Sequence, residues 1–557
     1  MATITTVPLH ILTDILWRSA LYGGLAFGIA GLARFLYLAF MYPNFVSPLR
    51  DLPGPKDHHF FLGQLLNQFR SGDPEQPYTD WMQKWPDAPL IRYRETGLAA
   101  EGLLINSAAA YRDVMQSQTC YAYERSVPFR RLIGDIIGVG LVFAEGSEHR
   151  AQRKALGGLF TVGNIKAYLP TLQAKAQRLV AEMDRAIDGA KDGTDSLVDC
   201  KQLYAKITLD VIGIFALGID FDNFATRTPF QSSYEAMFDL STAGMLLAAI
   251  NLVVPIRWLP LKANREFMDA STELRGILTG ITEARILSVG EAAVAATDSK
   301  ETKTAKPTAP TSAASPTKDV KGLLTYMVET KYRAVDPASR WSKEELIEQV
   351  LNFMATGHET TAGALTFATH ELGRHPDVVA KLRREALTLP AAPSFAEIDR
   401  LPYLDAVLRE CLRVQTPVAG IPRVAQHDVV VAGRFVPKGT TLMPIPAVLH
   451  RNTRLWGADA AVFNPDRWLA DPGTGGAVDR DTYAWVAFGH GPRACIGRAL
   501  ASLNVKVVLL ALARHFTWES VHKGKLPVVN PSGQLRPSGE VWLKVARVDG
   551  GVVAEAK

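Results

Sequence analysis

The chain has 557 residues, 47% of them hydrophobic, and a formal net charge of +5 at pH 7. That length suffices for one large catalytic domain or a few average ones, and the apolar content supports a sizeable core. The small positive charge, without a dense run of Lys and Arg, argues against nucleic-acid binding. Four widely spaced cysteines with no Cys-x-x-Cys pair indicate neither a disulfide framework nor a zinc site.

The N-terminal region contains one stretch suited to a membrane. Residues 19–41 are apolar except for Arg34, and a helix of this length, at about 1.5 Å per residue, spans a bilayer. The stretch is longer than the apolar part of a cleaved signal peptide. We therefore predict a tail over 1–18 and a transmembrane anchor over 19–41. Prolines between 42 and 56 predict a stiff hinge, and 57–557 is left as one domain.

The first part of that domain contains segments with different sequence patterns. Alternating residues between about 89 and 105 predict two short strands of a small sheet. Residues 121–143 include several glycines and have weak periodicity, which is typical of a mobile loop over a pocket. Residues 205–283 are mostly helical in pattern. Residues 295–318 have no large apolar side chain and are rich in Thr, Ala, Ser, Pro and Lys, which predicts a disordered surface insertion.

A basic helix is predicted between that loop and the helical region. His149 and Arg153 are four residues apart, so both lie on one helical face and can reach the same anionic group. The alternative interpretation is a solvated basic face, the commoner fate of such residues.

A long helix is predicted from Ser342 to about residue 374. Ser342 and Glu345 form a capping-box signature ahead of apolar residues at helical spacing. Within it, Gly357 removes a side chain and Thr360 can hydrogen-bond a helix carbonyl, which makes room for a small ligand and water. Glu359 beside a threonine hydroxyl offers a proton relay. Alone this motif is weak, because Thr in a helix is more often merely tolerated.

Late in the chain one cysteine, Cys495, lies among glycines in the segment 488–497. A cysteine thiolate is an axial haem ligand, and glycines let the backbone approach a flat macrocycle while their amides point at the sulfur. Arg493 can pair with a haem propionate. Apolar spacing beyond the cysteine predicts a helix from near Ile496, with its positive end close to the thiolate. The alternative is an inert cysteine in an ordinary loop.

These motifs resemble the cytochrome P-450 family. The segment 488–497 fits F-x-x-G-x-R-x-C-x-G at every fixed position, and 356–361 fits (A/G)-G-x-(D/E)-T-(T/S) except that Thr356 replaces the usual Ala or Gly. The segment 410–413 fits E-x-x-R and 465–468 fits P-x-R-F/W. The resemblance covers essentially everything after the hinge, and it implies a mainly α fold with a small β region.

The resemblance also implies a set of site residues. Cys495 is the implied iron ligand of haem b, and Thr360 and Glu359 handle protons. His149 stands where the family usually has Trp. Glu410, Arg413 and Arg467 fit the family's buried structural triad. The other implied haem-binding residues are Arg153, His149, Arg423, Arg493, Phe488 and Gly357. A hairpin is predicted downstream of Arg423, within 429–440.

The function implied by the resemblance is a membrane-anchored haem-thiolate monooxygenase. It hydroxylates or epoxidises a lipophilic small molecule, and the general look of the chain is similar to fungal members that tailor secondary metabolites. Electrons come from a separate NADPH-cytochrome reductase, with cytochrome b5 as a second candidate donor. The implied location is the endoplasmic reticulum membrane, with the catalytic domain facing the cytosol. Two alternatives are a haem-thiolate isomerase or dehydratase and a non-catalytic haem-binding protein.

Overall fold

The computed structural model describes residues 9–189, 196–238, 242–251, 254–301, 321–469, 481–530 and 533–548. Helices dominate this part of the chain, which confirms the mainly α prediction. Their bounds are α1 Leu9–Leu36, α2 Leu65–Ser71, α3 Gln76–Lys84, α4 Ala108–Met115, α5 Val127–Ile137, α6 Gly146–Gly157, α7 Val162–Ala167, α8 Leu169–Asp188, α9 Cys200–Leu217, α10 Pro229–Phe238, α11 Thr242–Asn251, α12 Lys262–Glu301, α13 Leu323–Met327, α14 Lys343–Leu372, α15 Pro376–Ala386, α16 Phe395–Asp399, α17 Pro402–Val414, α18 Pro446–Arg451, α19 Thr453–Trp456 and α20 Arg498–His515.

The strands are short and form small sheets. Their bounds are β1 Leu90–Arg94, β2 Glu101–Ile105, β3 Tyr123–Arg125, β4 Ser196–Asp199, β5 Arg423–Ala425, β6 Val429–Val431, β7 Arg434–Val436, β8 Thr441–Met443, β9 Phe516–Ser520, β10 Val528–Val529, β11 Arg536–Pro537 and β12 Trp542–Arg547. The largest sheet has the order β1-β2-β8-β5-β3, and a second has the order β4-β12-β9. The two predicted strands near the N-terminus are β1 and β2, and the predicted hairpin is β6–β7.

Helix α14 crosses the main hydrophobic core. Its start is fixed by the predicted capping box, because the Ser342 hydroxyl accepts from the Glu345 amide while the Glu345 carboxylate accepts from the Ser342 amide. The helix is buried along most of its length after Leu346. It packs against α9, α17 and α20. This arrangement places the predicted motif around Thr360 beside the helix that follows Cys495.

The N-terminal helix extends further than the sequence predicts. Helix α1 continues as a π-helical segment over Tyr37–Val46 that includes Pro43. Proline lacks an amide hydrogen and clashes with the preceding turn of an α-helix, and a π-helical turn is wider there. Over Leu16–Val46 the helix is long and apolar enough to cross a membrane, and 6% of its most apolar window is buried in the protein. Because the helix continues to Val46, the hinge predicted over 42–56 begins five residues too early.

The connector after the helix is attached to the first sheet. The Ser47 hydroxyl donates to Glu101 at 2.5 Å, and the Arg92 amide donates to the Pro53 carbonyl at 2.8 Å. A Cβ on Gly54 would lie 1.8 Å from the Arg92 carbonyl oxygen, so the close approach requires glycine. The predicted stiff hinge is thus held on β1 and β2.

Two predicted loops contain regular structure. Residues 121–143 form β3 and α5, and the turn after α5 is held by α14, where the Leu141 amide donates to Gln349 and the Val142 amide to Asn352. Periodicity does not reveal these elements because long-range contacts hold them, with β5 for β3 and with α14 for α5. Helix α12 continues to Glu301, because the alanine-rich start of the predicted insertion favours helix. The rest of that insertion, 302–318, lies outside the described residues.

Candidate functional site

Cys495 is held in a tight loop just before α20. Its amide donates to the Phe488 carbonyl at 2.7 Å. Gly489 and Gly491 have φ values of 66° and 64°, and a Cβ on Gly491 would lie 2.1 Å from the Met115 carbonyl oxygen. Both positions favour glycine for its backbone conformation, and Gly491 also needs it for space. Helix α20 begins at Arg498, two residues after the predicted start.

Several groups in and beside the loop favour a negatively charged sulfur on Cys495. Cys495 is exposed, whereas the other three cysteines are buried. Desolvation by the surrounding protein nevertheless raises the thiol pKa, and the amides of Gly497 and Arg498 and the charge of Arg153 offset only part of this rise. A bound metal cation deprotonates a coordinating thiol outright. The amides and Arg153 then stabilise the thiolate.

Four arginines come together beside this loop. Arg125 and Arg423 are partners across β3 and β5, Arg493 pairs with Glu145, and Arg153 donates to the Ala494 carbonyl. Arg125 also pairs with Glu145, at 3.3 Å. Within the described ranges, no second carboxylate pairs with the cluster. Burial and the charge of Arg493 lower the pKa of Arg423 to about 10.

The cluster fits the carboxylates of a haem. Nitrogens of three of its buried arginines have no hydrogen-bond partner among the described residues: Arg125 Nε, Arg423 Nη1 and Arg493 Nε. Unpaired buried guanidinium groups are costly, and guanidinium forks match carboxylates. Two propionates would supply the missing acceptors and the missing negative charge. The residues present therefore fit haem b.

Arg125 is a member of this cluster that the sequence does not predict. It lies in a three-residue strand, and neither periodicity nor a motif distinguishes it. Its position follows from the pairing of β3 with β5, which brings distant segments together. The one signal that the sequence offers is a basic residue two positions after the Tyr-Ala-Tyr segment at 121–123.

His149 occupies the cluster as a neutral group. It is buried on α6, one turn before Arg153, and its Nδ1 is 2.9 Å from the Tyr121 hydroxyl. Burial and the nearby arginines lower the pKa of His149 to about 3. The neutral ring and the Tyr121 hydroxyl therefore share one hydrogen bond. The predicted placement of His149 and Arg153 on one helical face agrees with α6, and Phe488 supplies the carbonyl that binds the Cys495 amide.

On α14 the motif threonines bond back to their own helix. Thr360 donates to the Thr356 carbonyl at 2.6 Å, and Thr361 donates to the Gly357 carbonyl at 2.8 Å. Such bonds weaken the regular helix locally. The predicted carbonyl bond of Thr360 is therefore present, and Thr356 also donates to a carbonyl, that of Asn352.

Glu359 points to charged neighbours and makes no hydrogen bond with Thr360 in the described structure. Its carboxylate is 3.4 Å from His358 Nδ1 and 3.7 Å from Arg536 Nη1. Burial raises the pKa of Glu359, but His358 and Arg536 outweigh burial and leave the pKa below its usual value. The acid and the hydroxyl of the predicted relay are adjacent in sequence, and a water or a rotation is needed to connect them.

Gly357 allows two helices to pack closely. A Cβ on Gly357 would lie 2.6 Å from Ile212 Cδ1 of α9. The missing side chain therefore permits close packing of α14 against α9. That it also clears space for a small ligand stays a prediction.

The predicted structural triad is present and buried. Glu410 accepts from Arg413 at 2.8 Å and from Arg467 at 2.9 Å, and the Trp468 indole donates to it at 2.9 Å. Arg413 also donates to the carbonyls of His450, Ala460 and Val462. The triad ties α17 to the segment that precedes the Cys495 loop.

Comparisons with known proteins agree with this site. The Cytochrome P-450 family model matches residues 53–545. The cytochrome P-450 monooxygenase sphH of Aspergillus fumigatus is 29% identical, over 96% of this chain and 94% of that protein. The monooxygenase ALT8 of Alternaria alternata is 28% identical over 95% and 94%, and FUM15 of Gibberella moniliformis is 28% identical over 89% and 87%. Because the family model covers most of the chain, the protein belongs to the cytochrome P-450 family of monooxygenases, which use haem b with an axial cysteine thiolate.

Proposed function

We propose that this protein is a membrane-anchored monooxygenase that hydroxylates or epoxidises a lipophilic small molecule, with Cys495 as the axial ligand of its haem. The observation that carries the assignment is the position of Cys495. It is the exposed cysteine, in a loop of amides beside four arginines, of which Arg125 and Arg493 pair with the same carboxylate, Glu145.

The chain's own residues hold the haem and move protons. Arg125, Arg153, Arg423 and Arg493 bind the propionates, and the neutral His149 lies beside them. Bound haem supplies oxygen activation, for which a cysteine thiolate ligand is suited. Glu359 brings protons to the site, and the Thr360 hydroxyl passes them on when it leaves the Thr356 carbonyl.

Membrane attachment supports the proposed substrate class. The helix at Leu16–Val46 exposes large side chains such as Trp17 and Phe27, which are 78% and 83% exposed. A bilayer would cover such a surface. We place the protein in the endoplasmic reticulum membrane with its catalytic domain in the cytosol. There a separate NADPH-cytochrome reductase, or cytochrome b5, supplies electrons.

The substrate is proposed as a lipophilic metabolite of fungal secondary metabolism, such as a terpenoid or polyketide. The similar proteins come from fungi, and they match this chain over nearly its whole length. A membrane-bound enzyme also meets substrates that partition into lipid. The reaction type is supported by the family, and the molecule itself has to be found by experiment.

Two measurements test the proposal together. The reduced carbon monoxide complex should show the red-shifted Soret band of thiolate ligation, and Cys495→Ala should abolish it while Cys411→Ala, at a buried cysteine, retains it. With microsomes and a panel of lipophilic compounds, product should form only with NADPH and reductase. Turnover without either would instead identify an isomerase or dehydratase.

Membrane attachment has its own test. Full-length protein in microsomes should resist alkaline extraction, and a chain lacking residues 1–46 should be released while it still binds haem. Release of the full-length protein by alkali would contradict the anchor.

A further inference from the structure

His358 lies inside the motif of α14, and its surroundings limit where its proton can be. Its side chain is 6% exposed, and it packs against Tyr234 of α10 with ring centroids 5.1 Å apart. Its Nε2 is 2.9 Å from the Ala205 carbonyl oxygen of α9. Because a carbonyl oxygen only accepts hydrogen bonds, Nε2 must carry a hydrogen.

The other ring nitrogen faces Glu359. Nδ1 is 3.4 Å from Glu359 Oε1, and no described residue gives it a hydrogen bond of standard geometry. In a neutral ring with its hydrogen on Nε2, Nδ1 is a lone pair, and a buried lone pair against an ionised carboxylate is unfavourable. A proton between the two atoms turns this contact into a charge-assisted hydrogen bond.

The neighbouring charges favour the ionised form of Glu359. Arg536 of β11 lies 3.7 Å from its other oxygen, and Lys201 of α9 adds a second positive charge at longer range. Tyr234 is the titratable group that α10 presents to the ring. The ionised carboxylate therefore lies against Nδ1, where a proton would be held by a charge-assisted hydrogen bond.

We propose that His358 and Glu359 share one buried proton, held on His358 at rest, and that this proton supplies Glu359 during turnover. In the step, the Nδ1–H bond of His358 breaks as an O–H bond forms on Glu359. Glu359 then passes one proton towards Thr360, and solvent reprotonates Nδ1. The inference rests on the proposed role of Glu359. His358 acts through Glu359 and is a positioning residue.

Solvent reaches the neighbourhood of the ring through a surface cleft. The cleft has a volume of about 230 Å³ and lies between α9 and α10. Ala205, whose carbonyl binds His358, is one of its lining residues. The other lining side chains include Gln202, Lys206, Asn223, Gln231 and Glu235. Ala205 therefore places this cleft on the Nε2 side of the ring.

The location of the proton is tested without turnover. Nitrogen NMR of histidine-labelled, haem-loaded full-length protein in its reduced carbon monoxide form reports which ring nitrogens carry hydrogen. The His358 signal is the one lost in His358→Gln. We expect both of its nitrogens to be protonated near neutral pH, and Glu359→Gln to give a neutral ring. Two results together would overturn the shared proton. The first is a neutral His358 ring in the unaltered protein, and the second is an infrared spectrum without a protonated carboxyl band that Glu359→Gln removes.

His370 is the matched control on the same helix. It is also buried, but its nitrogens bind Ser520 Oγ at 2.7 Å and the Gly524 carbonyl at 3.0 Å. A positioned acid contributes about 10²–10⁴-fold to a rate. His358→Gln leaves Glu359 in place. It should therefore lower the amount of product formed per NADPH by roughly tenfold, which is less than the effect of removing a positioned acid. It should also raise the solvent deuterium isotope effect, and His370→Gln should change neither.

The variants separate the two levels of the proposal. If Glu359→Gln impairs coupling and His358→Gln does not, the role of His358 is overturned although that of Glu359 stands. If neither variant impairs coupling, the proposed role of Glu359 fails and the supply role of His358 fails with it. A double variant no worse than Glu359→Gln alone supports action through Glu359.

Discussion

Arg125 and Arg423 lie directly opposite each other in the paired strands β3 and β5. Like charges at directly opposed positions destabilise a sheet, and both side chains are buried. Burial and the charges of Arg423 and Arg493 lower the pKa of Arg125 well below its usual value. Such a pair is favourable where an anion completes it, and we propose that the haem propionates are that anion.

Arg125→Met should therefore weaken haem binding. Loss of one charge-assisted hydrogen bond costs about 1.5–3 kcal/mol, which corresponds to roughly tenfold or more faster haem loss. Haem transfer to apomyoglobin measures the rate. Arg112→Met is the control, because the Arg112 side chain is 47% exposed on α4. An unchanged rate in Arg125→Met would remove Arg125 from the haem site.

Glu410→Ala should prevent the accumulation of haem-loaded protein. It leaves Arg413 and Arg467 buried without their carboxylate, at a cost of about 3–5 kcal/mol. The yield of protein with the thiolate carbon monoxide spectrum measures the effect. Glu283→Ala, which removes a surface pair with Lys343, should cost at most about 1 kcal/mol. Normal haem content in Glu410→Ala would reject the structural role.

Gly357→Ala should destabilise the protein through helix packing. The added Cβ meets Ile212 Cδ1 at 2.6 Å, and overpacking of this kind costs about 1–3 kcal/mol. Thermal unfolding measures the change, and Ile212→Ala in the same chain should recover part of it.

Gly276→Ala is the control for the glycine substitution itself. A Cβ there meets nothing within 4 Å, so replacing a helical glycine should be neutral or stabilise by about 0.5–1 kcal/mol. Equal destabilisation of Gly357→Ala with and without Ile212 would contradict the packing explanation.

Because of the buried His450, the free energy of unfolding should be lower at acidic pH than at neutral pH. Its Nε2 accepts the Val486 amide at 2.8 Å, and burial with the charges of Arg413 and Arg451 lowers its pKa from 6.5 to about 3. Between these values the unfolded chain binds a proton that the folded chain does not. The free energy of unfolding therefore falls as the pH drops through this window, by about 1.4 kcal/mol per pH unit.

His450→Gln keeps an acceptor for the Val486 amide and removes the titration. The melting temperature of this variant should fall less between pH 6.5 and acidic pH than that of the unaltered protein. His427→Gln, at an exposed histidine, should leave the pH dependence as it was. Identical pH profiles for all three proteins would show that other groups control acid stability.

The sequence by itself determined the family, the candidate ligand cysteine and the order of the main elements. These follow from local chemistry: glycines around Cys495, a capping box at Ser342, and one long apolar run near the N-terminus. The resemblance to family motifs predicted Arg153, Arg423 and Arg493 as haem-binding residues, and the structure brings these three side chains together. Arg125 was not predicted from the sequence, because a three-residue strand has no periodic pattern and its partner strand is distant in the chain.

Only the tertiary structure decided which neighbours the motif residues of α14 face. From sequence, Gly357 and Glu359 point to a ligand space and a relay. In the fold, Gly357 accommodates Ile212 of α9, and Glu359 faces His358 and Arg536. A helical pattern fixes which residues share a face, but the helices packed on that face come from elsewhere in the chain, and their contacts determine burial, pKa and the location of a proton.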